Sequence, residues 1–260
     1  MISIIIPTYN EADQIQQTIS KIHAANGEHE IEIIVADGGS TDETVPIALR
    51  SNAITIVSNK KGRAAQMNKG TYVAKGDVLY FLHADSIPPK NFIGSILNAV
   101  HKNFSSGCFR LSFDHSHWFL KANCWFTRFD VNAVRFGDQS LFVTKDVFQK
   151  IGGFNESLLM MEDQEIIHRI KKHRGFKVMN GIVTTSARKY LDNGIYRMQA
   201  IFYRIWLLYY LGFSQKYLLK LHRRLIRKHT FVQQKSKVPS NKYRSYGHVP
   251  PSQLMGRCKG

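Results

Sequence analysis

The 260-residue chain is poor in cysteine, in acidic residues and in long apolar runs, and each shortage excludes something. Its three cysteines, Cys108, Cys124 and Cys258, have neither metal-ligand spacing nor the look of a disulfide framework. A low, odd count fits a reducing compartment, so a cytoplasmic location is expected. No stretch reaches the roughly 18 uninterrupted apolar residues that span a bilayer; the best, Ala200 to Phe213, is shorter and contains Arg204. Met1 leads straight into a strand-like run with no basic region before it, so no signal peptide is expected. No glycine-rich dinucleotide fingerprint follows the first apolar run, and no phosphate-binding P-loop occurs, which argues against NAD and P-loop nucleotide sites. There are no internal repeats.

Acidic residues number 19 against 36 Lys and Arg, a net charge of +17, and the imbalance is local. Residues 1–187 carry 20 basic and 18 acidic residues; residues 188–260 carry 16 basic residues and a single acid, Asp192. A near-neutral body therefore precedes a basic third, which suits anionic partners. Within it, Phe202, Tyr203, Trp206, Tyr209, Tyr210 and Phe213 precede Lys216, Lys220, Arg223, Arg224, Arg227 and Lys228. Aromatic and basic residues together suit a lipid headgroup region, so residues 197–228 are read as a peripheral membrane contact. The plainer reading packs the aromatics on the body and leaves the charges in water. Nucleic acid is the less favoured partner. Residues 231–260 are polar, with Pro239, Pro250 and Pro251, and are expected to be disordered.

The first 90 residues alternate. Ser3–Ile6, Ile31–Ala36, Ala53–Val57 and Val78–Leu82 are short apolar runs read as strands, three of them buried. Between them, Glu11–Ala24, Thr41–Leu49 and Gly62–Ala74 have helical spacing. Such a βαβαβαβ order predicts a parallel, doubly wound sheet covered on both faces. Beyond residue 90, helices are expected over Phe92–His101, Asp146–Ile151, Glu162–Lys172 and within Arg197–Lys228, with strands at Cys108–Phe113 and Gln139–Val143.

Ligands of open α/β sheets sit at the carboxyl ends of strands, where this chain puts its polar clusters: Thr8-Tyr-Asn-Glu11, Asp37-Gly-Gly-Ser40 and His83-Ala-Asp85. Asp37 is placed to accept a nucleobase N–H, or simply to brace a turn. His83 and Asp85, two residues apart, can share one side of an extended segment. Asp85 suits a hard divalent cation, and His83 would suit Mn²⁺ better than Mg²⁺; the plainer alternatives are a helix cap and a packed imidazole. Asp163 heads the stripe Ile167, Ile170 of its helix, so it can reach a cleft as a general base or merely complement the helix dipole. Arg63, opening a helix, can contact a phosphate or a base.

In order, these pieces resemble the family 2 glycosyltransferases of GT-A fold. The resemblance runs from residue 1 to about 175. It rests on Ile4-Ile-Ile-Pro-Thr-Tyr-Asn-Glu11, on Val35-Ala-Asp-Gly-Gly-Ser-Thr-Asp-Glu-Thr44 (Gly38 replacing a frequent second aspartate), on His83-Ala-Asp85 in place of an Asp-x-Asp metal motif, and on Gly152-Gly-Phe-Asn-Glu156 followed by Glu162-Asp163. Residues 62–70, Phe136-Gly-Asp-Gln139 and Thr185-Ser-Ala-Arg188 look like a bacterial subgroup found beside radical-SAM genes.

The resemblance implies a Rossmann-like, mostly parallel sheet. Residues 1–187 would form the catalytic domain, with a nucleotide-sugar half (1–105) and an acceptor half (106–187). Helices over 188–230 and the tail would follow. It further implies that Pro7, Tyr9, Glu11 and Asp37 line the nucleotide site and that Arg63 contacts the nucleotide. Asp85, with His83 beside it, would hold Mn²⁺ or Mg²⁺. Asp163 would be the base and Glu162 would orient the acceptor. The Gln-x-x-Arg-Trp motif of processive synthases is missing, which predicts transfer of one sugar, from a UDP-sugar by resemblance at Asp37. Two other classes compete: a sugar-1-phosphate nucleotidyltransferase, whose glycine-rich basic loop is missing after Ile6, and a non-catalytic basic binding module.

Overall fold

The structure is a computed structural model that describes residues 1–60, 62–132, 135, 137–173 and 175–226. The tail expected to be disordered, 231–260, and Phe136 of the subgroup segment lie outside the described residues.

The alternating half folds as its periodicity predicts. Strands β1 (Ile2–Thr8), β2 (Ile31–Asp37), β3 (Ile54–Val57) and β4 (Val78–Phe81) are joined by α1 (Ala12–Asn26), α2 (Thr44–Arg50) and α3 (Arg63–Val73). They pair in parallel in the order β3-β2-β1-β4. The alternating pleat of β1 serves two cores. Ile2, Ile4 and Ile6 join Ile15, Ile19 and Ile22 of α1 on one face. Ile5 joins Ala64 and Met67 of α3 on the other. On that second face Gly70 permits close approach, since a Cβ there would stand 2.5 Å from Ile5 Cγ2. β3, read from sequence as one more apolar run, is the edge strand and leaves Ile54 and Val57 exposed.

The second half departs from a purely parallel sheet. After the short β5 (Ser86–Ile87) and α4 (Phe92–His101) come β6 (Ser106–Phe113), α5 (Trp118–Phe126), β7 (Leu141–Thr144), α6 (Lys145–Lys150), α7 (Glu162–Ile170) and β8 (Phe176–Thr185). β7 lies antiparallel between β4 and β6, and β6 pairs in parallel with β8, completing the order β3-β2-β1-β4-β7-β6-β8-β5. β8 escapes sequence reading because Asn180 and Gly181 interrupt it where the register with β6 shifts between Phe109 and Arg110. α7 docks Ile166, Ile167 and Ile170 into the second core, each burial stabilising by about 1.5–3 kcal/mol. That docking aims its N-terminal Glu162 and Asp163 at the tips of the parallel strands.

Three further helices, α8 (Arg188–Asn193), α9 (Ile195–Tyr210) and α10 (Gln215–Leu225), belong to the same compact unit. They build a third core from Tyr190, Met198, Ile201 and Ile205 with Leu120 of α5, and α10 adds Leu221 and Leu225. The basic third is thus partly structural, and of its aromatic cluster Phe202 packs against this core. Its exposed side still carries Tyr203, Leu207, Tyr210, Leu211, Phe213 and Tyr217.

Candidate functional site

β1, β2 and β4 end side by side, and their tips fix three loops. In the second, Asp37 is 1 % exposed. Its Oδ1 accepts from Thr8 Oγ1 at 3.0 Å and from Ser40 Oγ, and its Oδ2 from the Gly39 and Ser40 amides at 2.8 and 2.7 Å. Both oxygens are spent on the loop, so a base N–H reaches this carboxylate only if one of those donors gives way. Gly38 has its own reason. Gln66 from α3 donates to the Thr8 and Ala36 carbonyls, and a Cβ on residue 38 would lie 2.6 Å from the Gln66 amide nitrogen. The residue that replaces a family aspartate thus makes room for this buried amide. Pro7 is buried within β1, whereas the Tyr9 side chain is largely exposed at the rim.

Around the third tip lies a continuous network of charge. Arg63, at the start of α3, places Nε 2.7 Å from Glu162 Oε1 and an Nη 3.6 Å from Asp163 Oδ2. Its other Nη meets His83 Nε2 at 3.2 Å, and His83 Nδ1 lies 2.7 Å from Asp138 Oδ1. Arginine has donors only, so Nε2 must accept and the imidazole proton sits on Nδ1, donated to Asp138. Burial and Arg63 disfavour the imidazolium; the hydrogen bond and charge of Asp138 outweigh them and raise the His83 pKa overall. The arginine contact nonetheless requires the neutral tautomer in the arrangement observed. Asp138 is itself pushed up by burial, but His83 more than compensates and holds it well below the usual carboxylate range.

Glu162 and Asp163 are neighbours in chain and in space. Glu162 is 1 % exposed, and its Oε1 pairs with Arg63 Nε at 2.7 Å. Its Oε2 has no hydrogen-bond partner among the described residues and keeps its acceptor capacity. Burial first, and the charge of Glu162 second, push the Asp163 carboxyl up to about 6, against the opposing pull of Arg63. Gly137 makes room for it: a Cβ there would lie 2.1 Å from Asp163 Oδ2.

Asp85 and Glu11 form a second acidic pair. Burial, then the charge of Asp85, raises the Glu11 pKa, and Arg188 contacts Glu11 at 3.5 Å. The half-buried Asp85 carboxylate makes no hydrogen bond or ion pair among the described residues, and its backbone carbonyl accepts from the Ser186 amide at 3.2 Å.

The expected metal pair is not assembled. Both ring nitrogens of His83 are engaged, one by a carboxylate and one by a guanidinium, which leaves no lone pair for a cation. Among the described residues no group of three or more His, Cys, Asp or Glu side chains could hold a metal. Asp85 remains as a single oxygen ligand, a donor set that fits a hard cation sharing its other positions with water and phosphate.

Sequence reading gave Arg63 to the nucleotide, His83 to a metal beside Asp85, and Glu162 and Asp163 to the acceptor and its proton; the structure places Arg63, His83, Glu162 and Asp163 in one network. It quoted Asp138 and Arg188 only within segments resembling a subgroup and gave neither a site role; Asp138 meets His83, and Arg188 meets Glu11, 177 positions away.

Comparison with known proteins follows this geometry. The family described as "Glycosyl transferase family 2" matches residues 3–158. Glycosyltransferase GlyG of Streptococcus pneumoniae is 30 % identical over 108 residues, 39 % of this chain and 36 % of GlyG. The matched stretch thus spans little more than a third of that relative. Among solved structures, the mannosyltransferase PcManGT of Pyrobaculum calidifontis, in complex with GDP-Man and Mn²⁺, superposes with a TM-score of 0.62 over 86 % of this chain and 68 % of its own, at 16 % identity. S. aureus TarS 1-349 in complex with UDP gives 0.56 over 86 % and 70 %, also at 16 %. At such identities the likeness establishes the fold alone, and that fold is GT-A. With more than half its length matched by the family, and the family's fold beneath that match, the chain belongs to glycosyl transferase family 2.

Proposed function

We propose that this chain is an inverting glycosyltransferase that moves one sugar from a nucleotide-diphosphate sugar, in our reading a UDP-sugar, to an acceptor hydroxyl. The observation that carries the proposal is Asp163: a carboxyl with its pKa raised to about 6, held at the tips of the parallel strands beside Arg63 and Glu162. Solved relatives bind GDP-Man with Mn²⁺ and UDP, which supports a nucleotide donor without choosing its base. The segments resembling the radical-SAM-associated subgroup extend the proposal to that subgroup.

In the proposed reaction Asp163 takes the acceptor hydroxyl proton as that oxygen attacks the anomeric carbon. The bond to the diphosphate breaks, its electron pair leaves on the phosphate oxygen, and the sugar passes through an oxocarbenium-like state. Glu162, with Oε1 paired to Arg63 and Oε2 left to accept, orients the acceptor. Arg63 faces the leaving diphosphate and offsets its charge. Tyr9 offers an exposed ring to the base. Asp85 would hold a divalent cation, which when bound neutralises the diphosphate. The exposed aromatic and basic side of α9 and α10 is assigned to anionic lipid, placing the enzyme at the cytoplasmic face of a membrane. Among the described residues no helix is long and apolar enough to cross one.

Five outcomes test this reading. Asp163→Asn should keep nucleotide binding by calorimetry but lose about 10²–10⁴ in turnover, the usual worth of a general base; an undiminished rate refutes the assignment. Turnover should rise with pH through about 6, because only the ionised carboxylate accepts a proton. Arg63→Met removes the charge that lowers this pKa, so the acid limb should move to higher pH by about one unit or more; a limb that stays put or moves down detaches Arg63 from the base. Asp85→Ala should abolish any Mn²⁺ dependence of UDP binding in a thermal-shift titration, and retained dependence assigns the cation elsewhere. Vesicles containing phosphatidylserine should float with the protein at low salt and release it at high salt; no flotation removes the membrane contact.

A further inference from the structure

Glu162 and Asp163 lie outside the part of the chain that the family matches, residues 3–158, and so does the α9–α10 hairpin that holds the segment just before them. Met161, the residue just before α7, takes a left-handed conformation, φ 68°, which a non-glycine residue adopts only when its surroundings enforce it. The preceding segment has little regular structure to enforce anything. Its end next to α7 is restrained from α10. Gln215, in the first turn after the Ser214 cap, accepts with Oε1 from two consecutive backbone amides, Leu159 and Met160, each at 3.0 Å. The side chains of Met160 and Met161 pack in the third core with Leu221 and Leu225 of α10. From α9, the Tyr210 hydroxyl donates to Gln164 Oε1 at 3.3 Å, one residue beyond Asp163, and Gln164 in turn donates to the Arg135 carbonyl at 2.9 Å.

We infer that the α9–α10 hairpin is a working part of the site and that Gln215 is its positioning residue, fixing through the Leu159 and Met160 amides the loop that presents Glu162 and Asp163. One acceptor atom shared by two successive N–H groups fixes both the place and the orientation of that short segment, since neither amide has another hydrogen-bond partner among the described residues. The basic third therefore does more than offer charge to a surface. His222 of α10 is half-buried, and burial, then the charges of Lys189 and Arg63, hold its imidazole down at about 4.

This rests on the reading of Asp163 as the base, and the test separates the two. The full chain is assayed with Mn²⁺ for hydrolysis of UDP-glucose, UDP-N-acetylglucosamine and GDP-mannose, with Gln215→Ala, Gln215→Glu and Asp163→Asn measured beside the wild type. Amide hydrogen exchange at residues 159 and 160 is followed in parallel. Gln215→Ala should lower kcat by about 10- to 100-fold, as misplacement of a reacting group by about 1 Å does, with donor KM within about twofold and faster exchange at both amides. Gln215→Glu keeps an acceptor oxygen and should recover both the rate and the protection, which a loss of general stability would not predict. If Gln215→Ala does not fold, Gln215→Met, which keeps the volume and removes the acceptor, makes the same comparison. Unchanged exchange in the variant, or faster exchange with an unchanged kcat, overturns the positioning role. Retained turnover in Asp163→Asn instead overturns the base assignment and leaves the exchange result standing.

Discussion

The site depends on one guanidinium held among three negative charges. Two adjacent carboxylates taken out of water repel each other and tend to retain a proton between them. Arg63 counters this by pairing with Glu162 and standing 3.6 Å from Asp163. Asp138, acting through His83, completes the arrangement. The balance leaves Asp163 ionisable near neutrality: burial and Glu162 raise its pKa, and Arg63 limits the rise. The opposing charges therefore set the ionisation of Asp163 together, more than any single contact does.

The same network decides what His83 does. A histidine in the place of a metal-motif acid invites a metal role, and its spacing from Asp85 allowed one. The fold instead gives one ring nitrogen to Asp138 and the other to Arg63, turning a ligand position into a link between a carboxylate and the guanidinium. Asp85 is left as the half-buried carboxylate at this strand tip without a hydrogen bond or ion pair among the described residues. The neighbouring tip makes a similar trade. Asp37 braces its loop through four acceptor contacts, and the space beside it at residue 38 goes to the Gln66 amide.

Contacts of a different kind, made from distant parts of the chain, hold the loop before α7. α7 is set by its apolar stripe, but the segment leading into it is irregular and is held from α10, far along the chain. Asn68 of α3 does a similar job upstream, donating to the Phe154 carbonyl and accepting from the Phe154 amide, both at 2.9 Å. The loop between Gly152 and Glu162 is thus fixed at both ends by side-chain amides from helices on opposite sides of it in sequence.

By itself the sequence determined the alternating half, because a buried parallel strand must be continuously apolar and a covering helix must repeat its apolar face every three to four residues. Ile2–Thr8, Ile31–Asp37 and the helix over Phe92–His101 are readable for that reason, and so is the gathering of polar residues at strand ends. The stripe Ile167, Ile170 likewise put Asp163 at the inward end of α7. Tertiary structure alone decided what depends on distant partners. β7 enters antiparallel beside β4 because of how the chain returns, which no local period records. Asp138 meets His83, Arg188 meets Glu11, and Gln215 meets Leu159 across 55, 177 and 56 positions. Hydrogen bonds and ion pairs carry no sequence period, so only the folded chain could bring these groups together.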